Sequence, residues 1–360
     1  QRQFGLPRST PADELAFAAS RLEHWQHCSE QMIISHPRLR GERPVEPSPL
    51  IRDLWKTTEF QLPVVHHPYF QSQPALEAVP DDHGNPLPPG LHGGGTGLFT
   101  NQAGCPFRAW AISRLGLAEP RAPHAFPDPL DRGRLFHGVM QLLYQRHLGE
   151  PGPIDFTEAE IDDSIASSLD SYYLRFPRAF LDRERERLLQ VVKVWLELES
   201  NRPPFTVDAV ETSREVALGD VRISLRVDRL DRIEDALIII DYKTGPISLP
   251  VTEGFLIEPQ LPVYAMTDQR VEGVFYARLD ETKPRLSGIA STDLEMGAIR
   301  VNAAHENSWP AQIEKWRQEL LDLAAEISSG YASVLPRRPG ICDRCHLAGL
   351  CRIDERLEIT

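Results

Sequence analysis

The sequence predicts an α/β fold, a central mixed sheet flanked by helices, from three kinds of pattern. Apolar residues recur at helical spacing in 131–148 and 178–199. Polar–apolar alternation follows in VDAVETSREVAL and VRISLRVDRLDRI, and the run ALIIIDYKTG reads as a central strand entering a turn. The order is therefore helices, a group of strands, a helix, a strand and a terminal helix. A sheet with helices packed on its faces accommodates that order.

Residues 1–40 contain an amphipathic helical candidate, DELAFAASRLEHWQHCSEQM. From about 41 to 97 the chain turns to Pro, Gly and His (PVEPSPL, PVVHHPYF, NPLPPGLHGGGTG), which favours turns and extended connections over a core. Residues 1–85 are accordingly expected to be a peripheral or preceding-domain segment ending in a Pro/Gly-rich linker, and 86–360 the functional domain. LFTNQAGCPFRAWAISRL reads as one or two short helices around Cys105. In DRGRLFHGVMQLLYQRHL, the residues Leu135, Val139, Leu142 and Leu143 share helical spacing. RAFLDRERERLLQ, continuing into VVKVWLELE, makes a second long helix. The link IEDA is polar enough for a tight turn, so the strands on either side are expected to pair as a hairpin. EPQLPVYAMTDQ resumes a helix, VEGVFYARL a strand, and a final helix covers roughly 310–329. There is no convincing internal repeat.

Composition narrows the class of protein. The chain has 360 residues, 41% of them apolar and 25% charged, the profile of a soluble globular protein with room for a substantial core. No run approaches the roughly 18 apolar residues that cross a bilayer, and QRQFGLPRSTPADE lacks the apolar region of a secretory leader, so a cytoplasmic location is expected. The start at Gln1 leads us to expect a fragment or a processed chain. A net charge of −13 argues against a uniformly basic, nucleic-acid-coating surface. A local groove matters more than the sum, and carboxylates that recruit a divalent ion lower that sum themselves.

Cysteine usage is more specific. Five cysteines without a secretory leader make a poor disulfide framework. Three of them form Cys342-x2-Cys345-x5-Cys351, the pattern of a metal or cluster site, and Cys105 in GCPFRAW is the best distant fourth ligand. Spacing alone leaves Zn²⁺ and an iron–sulfur cluster open. Cys28 has no assignment.

The candidates for chemistry centre on the strands. Asp228 and Asp241 lie on the two segments joined by IEDA, and carboxylates converging at a sheet end can hold Mg²⁺ or Mn²⁺. Each taken alone is equally an ordinary strand-end aspartate. Lys243 lies two residues after Asp241, on the same strand face, where it can orient a water and stabilise charge on a phosphoryl oxygen, or simply pair with the acid. His137, on a helix beside Gly138 and one turn after Gly133, offers an imidazole ligand; the small residues there would let the helix approach the sheet. Gln260 and Tyr264 share a helix face, placed to contact phosphate, a base edge or the lysine.

Together, GRLFH (133–137), VDRLD (227–231), DYKTG (241–245) and QLPVY (260–264) resemble the RecB-like branch of the PD-(D/E)XK nuclease superfamily. The resemblance covers about 85–360. It implies a restriction-endonuclease-like core in which His137, Asp228 and Asp241 bind metal, Lys243 is catalytic, and Gln260 and Tyr264 position DNA or the active site. One departure is Arg226, where many relatives carry glycine; it stands ready to reach a phosphate, neutralise the carboxylates or cap the site. The cysteines resemble the iron–sulfur staple of AddB-type recombination nucleases and certain CRISPR-associated nucleases. That implies a [4Fe–4S] cluster on Cys105, Cys342, Cys345 and Cys351, joining the two ends of the nuclease domain, with structural Zn²⁺ as the alternative. The implied activity is metal-dependent hydrolysis of DNA phosphodiester bonds. It is expected as an exonuclease on single-stranded DNA in repair or recombination, beside a helicase domain or subunit, since the chain has no GxxxxGK[ST] loop of its own. The alternative is a catalytically inactive DNA-binding or architectural subunit of such a complex.

Overall fold

A computed structural model describes residues 10–28, 30, 32–52, 81–119, 127–170, 172, 176–250, 255–280, 283–291, 300–303, 308–338, 340–343 and 345–353. The chain divides into two units, residues 1–80 and 81–360. In the first, helix α1 (Pro11–Cys28) buries none of its residues, and a two-stranded antiparallel pair, β1 (Leu39–Arg40) and β2 (Arg43–Pro44), precedes a single turn, α2 (Pro49–Arg52).

The second unit is built on an eight-stranded mixed sheet. Its strands are β3 (Gly90–His92), β4 (Pro151–Gly152), β5 (Phe205–Leu218), β6 (Val221–Ile233), β7 (Ala236–Lys243), β8 (Val271–Arg278), β9 (Arg285–Ala290) and β10 (Arg300–Ala303). The order is β10-β9-β8-β7-β6-β5-β4, with β3 alongside the start of β6. Pairing is antiparallel from β4 through β7 and parallel between β7 and β8. The expected hairpin is present: Ile233 pairs with Ala236 across Glu234 and Asp235, with Glu234 in the left-handed region at φ 52°.

The helices are α3 (Thr96–Gly104), α4 (Pro106–Ser113), α5 (Pro129–Gln145), α6 (Glu158–Asp170), α7 (Arg178–Glu199), α8 (Gln260–Ala265), α9 (Trp309–Ser329) and α10 (Ala348–Cys351). Among the described residues no helix is long and apolar enough to cross a membrane. Strand β7 shows how the two faces are filled. Leu237 and Ile239 join the cluster of α3, α8 and α9 residues, whereas Ile238, Ile240 and Tyr242 join that of α5, α6 and α7. A strand covered on both faces is apolar throughout rather than alternating, which is why ALIII was legible as central. Each such aliphatic side chain contributes about 1.5–3 kcal/mol relative to exposure.

Several elements escaped the sequence reading. Helix α6 buries Ile161, Ile165 and Leu169, a single row at every fourth position that its acids and serines obscure. Strands β3, β4, β9 and β10 are two to six residues long, too short for periodicity to register.

Candidate metal centre

Helix α5 is fixed at its start by a capping box, in which Asp128 accepts from the Asp131 N–H and Asp131 accepts from that of Asp128. Two turns later His137 leaves the helix toward the open end of β5, β6 and β7. The expectation that both glycines bring α5 close to the sheet needs correction. A Cβ on Gly138 would stand 2.7 Å from Ser168 Oγ, so this glycine serves the contact with α6, where Ser168 donates to the Leu135 carbonyl at 2.8 Å. Gly133 faces Thr244 Oγ1 just beyond β7, at an ordinary 3.5 Å from the same construction.

The ladder between β6 and β7 stops at Arg229↔Ile240. Beyond it, Asp228 Oδ2 takes the N–H of Tyr242 at 2.8 Å, a carboxylate standing where a backbone carbonyl would otherwise accept. On the other side of β6, Val210↔Arg229 and Thr212↔Val227 are paired, which sets Glu211 across from Asp228. Glu211 itself leaves the pleat, with φ at 46°. Its Oε1 lies 3.8 Å from His137 Nδ1, and Asp228 Oδ2 lies 3.4 Å from the same nitrogen. One ligand atom from each of His137, Glu211 and Asp228 falls within 4.8 Å of the others, the grouping among the described residues able to hold a metal ion. Two carboxylates facing each other across strands repel. A cation resolves that.

The His137 ring is oriented from behind. Its Nε2 lies 2.9 Å from the Tyr242 carbonyl, so with Nε2 donating, Nδ1 faces the carboxylates, the arrangement by which ligating imidazoles are commonly held. Burial disfavours the imidazolium, but hydrogen bonds to Asp228 and Glu211 together with the charges of Asp228 and Asp241 outweigh it and raise His137 to about 10. In the metal-free protein the imidazolium thus balances the acids.

Asp241 is differently engaged. Its Oδ1 accepts from Gln260 Nε2 at 2.8 Å and from the Tyr264 hydroxyl at 2.9 Å. Its Oδ2 lies 2.6 Å from the Lys243 ammonium, yet that buried oxygen receives no well-aligned hydrogen bond. Burial pushes Asp241 up to about 6, the nearby Lys243 opposing and Asp228 adding to the rise. A buried, imperfectly satisfied carboxylate oxygen next to a second carboxylate suits a cation, so the donor set fits a hard divalent ion.

Of the sequence-derived candidates, the structure brings His137 and Asp228 together with Glu211 as the third group. Asp241 stands behind them, its carboxylate on Lys243, Gln260 and Tyr264. Gln260 also donates to the Tyr264 hydroxyl at 3.1 Å and accepts from that of Tyr276 at 3.3 Å, so the QLPVY pair grips Asp241 rather than the lysine. Arg226 reaches neither aspartate: its Nε lies 2.7 Å from Glu211 Oε2, with the side chain 69% exposed. Glu211 was missed. It is recoverable by counting back from the Gly219–Asp220 turn, since Leu218↔Val221 in register sets Glu211 opposite Asp228. His137, Glu211, Arg226, Asp228 and Lys243 line an open groove of about 620 Å³, with the exposed Arg134 at its side.

The four cysteines Cys105, Cys342, Cys345 and Cys351 line one small, otherwise largely apolar pocket, and all are free thiols. Burial and the neighbouring groups of Cys105, Cys345 and Cys351 push the Cys342 thiol up. Among the described residues no three of their sulfurs meet within 4.8 Å, so a closed single-ion cage is not formed. Cys28 is exposed on α1, its Sγ 3.4 Å from His24 Nε2.

The chain belongs to the PD-(D/E)XK nuclease superfamily, whose family model matches residues 100–352. No curated protein matches it. Among solved structures it is similar to a candidate exonuclease from Eubacterium rectale, at 12% identity over 71% of this chain and 86% of that one, with a TM-score of 0.38. It is also similar to the protein SSO0001, at 14% identity over 71% of this chain and 94% of that one, with a TM-score of 0.25. Likenesses this distant transfer no residue or role.

Proposed function

We propose that this chain hydrolyses DNA phosphodiester bonds with Mg²⁺ or Mn²⁺ held by His137, Glu211 and Asp228, and with Asp241 as the adjoining carboxylate. The observation that carries the reading is Glu211 standing across from Asp228 with His137 between them, at the mouth of a groove that also holds Lys243. When bound, the ion supplies an acidified water and offsets the charge of the phosphate. Lys243, tethered to Asp241 and about one-third exposed, donates to the attacking water or to a phosphoryl oxygen. Gln260 and Tyr264 keep Asp241 in place, and Arg226 keeps Glu211 in place while its exposed guanidinium, in the groove lining, is available to a phosphate. The reaction needs no covalent intermediate.

The same reading extends to the RecB-like branch with a nuclease domain over 86–360, to exonuclease action on single-stranded DNA in the cytoplasm, and to a helicase domain or partner supplying that strand. The test is incubation of end-labelled single- and double-stranded DNA with the protein, with Mg²⁺, Mn²⁺ or EDTA. Cleavage should appear with metal only, and faster on the single strand. Cleavage undiminished in EDTA, or none with either metal, would overturn it.

We further propose a second cofactor at the shared cysteine pocket. Bonds of about 2.3 Å to one tetrahedral Zn²⁺ would bring sulfurs to roughly 3.8 Å from one another. Among the described residues no three of these sulfurs lie that close together. The resemblance of the cysteine pattern to the iron–sulfur staple is what supports a [4Fe–4S] cluster, held by Cys105, Cys342, Cys345 and Cys351 and structural in role. It would join the α3–α4 junction to the C-terminal tail, as in AddB-type and CRISPR-associated nucleases. Anaerobically prepared protein should contain iron and acid-labile sulfide and absorb in the visible, and Cys345→Ser should lose both. Stoichiometric zinc without iron, or no metal at all, would count against the cluster.

A further inference from the structure

Behind the metal centre, four charged side chains are shut away from water. Arg229, Arg202, Asp231 and Glu199 have side chains 0%, 1%, 0% and 4% exposed. Arg229 meets Asp231 with two nitrogens, at 2.6 and 2.9 Å, and Glu199 at 2.8 Å. Arg202 bridges the same two acids, at 2.6 Å from Glu199 and 2.8 Å from Asp231. The hydroxyl of Tyr144 donates to Glu199, and the Arg229 guanidinium lies 3.9 Å over the Tyr144 ring. The charges cancel, but desolvating them is costly, and a well-packed apolar cluster would often be as stable. Stability therefore explains this network poorly.

Its outlet is Tyr242. Arg229 Nη1 donates to the Tyr242 hydroxyl at 3.3 Å, and the ring packs edge-on against Phe136, His137 and Trp195, each with its centroid 5.9 Å away. The main chain of this one residue touches both strand-side and helix-side ligands, its N–H on Asp228 and its carbonyl on His137. This happens just past the end of the β6–β7 ladder, where backbone pairing no longer holds the strands. Arg229 reaches from β6 to β7 on one face while the Tyr242 N–H reaches from β7 to Asp228 of β6. Side chains do there what the ladder does elsewhere.

The geometry points to Tyr242 as a positioning residue for the metal centre, its ring clamped by the buried Glu199–Arg202–Arg229–Asp231 network so that its main chain sets His137 and Asp228 in ligand geometry. This rests on the metal-centre reading above. Tyr242→Phe removes the hydroxyl and keeps the ring, and Glu199→Gln uncouples the network by a near-isosteric change. Ile165→Val trims the same core cluster from α6 by one methyl group and serves as the structural control.

Mn²⁺ binding to each full-length protein is read by electron paramagnetic resonance without DNA, beside thermal melts in EDTA. Wild type should bind Mn²⁺, and Tyr242→Phe should raise the Kd a few-fold. That is less than the roughly 10–100-fold cost of losing an outer-sphere partner outright, because the main-chain contacts to His137 and Asp228 remain. The metal concentration for half-maximal cleavage should move by the same factor, and Glu199→Gln in the same direction. Ile165→Val should lower the melting temperature and leave the Kd alone. A folded Tyr242→Phe protein with the wild-type Kd, or an Ile165→Val Kd raised as much, would overturn the positioning role. Wild type that binds no Mn²⁺ would overturn the metal centre itself, and this inference with it.

Discussion

Lys243→Ala should cut the single-turnover rate of DNA cleavage by about 10²–10³, the scale on which losing one preorganised donor to a transition state is felt. The substitution should leave Mn²⁺ binding within a few-fold of wild type. The two expectations separate because Lys243 is not among the converging ligands: its ammonium lies 2.6 Å from Asp241 Oδ2 and 5.4 Å from the centroid of the Tyr276 ring. Its side chain is 32% exposed at the groove, where a phosphate can reach it. Quench-flow or gel assays on end-labelled DNA at saturating Mn²⁺ check the rate, and a metal titration checks the site. Cleavage within threefold of wild type would remove Lys243 from the chemistry. Lost cleavage together with lost Mn²⁺ would make it a structural partner of Asp241.

Asp241→Asn should be equally damaging to cleavage but should stabilise the metal-free fold. Burial raises the Asp241 carboxyl to about 6, with Lys243 pulling down and Asp228 pushing up. An unfolded Asp titrates near 3.9. Between those values the native state binds the extra proton, so stability falls as pH rises from about 4 to about 6, and the penalty is fully present above that window. Asn carries no charge to bury. In EDTA at pH 8 the variant should therefore be more stable by on the order of 2–3 kcal/mol, a melting temperature several degrees higher. At pH 4, where the wild-type carboxyl is already protonated in the fold, the advantage should vanish. Thermal melts across that range decide it: an Asn variant less stable than wild type at pH 8 would show that the Lys243 pairing outweighs burial. Activity traded against stability at one buried acid is expected of a site built to receive a cation.

Local pattern determined much of this protein. Alternation in β5 and β6 and the apolar run of β7 are set by neighbours two residues apart, and α5, α7 and α9 by apolar residues three and four apart. The same short range makes Asp241 and Lys243 share a strand face and Gln260 and Tyr264 a helix face, so those pairs were visible as pairs. Which groups converge was a matter of tertiary structure. Glu211 joins His137 and Asp228 through a cross-strand register and a left-handed backbone, while Arg226 turns to Glu211. Gly138 meets α6 instead of the sheet, and the groups that hold the Asp241 carboxylate, Gln260 and Tyr264, come from α8. Spacing along a chain reports only what lies within a turn or a pleat. The charge environment of a carboxylate depends on residues tens of positions away, and those distances exist only once the sheet is assembled.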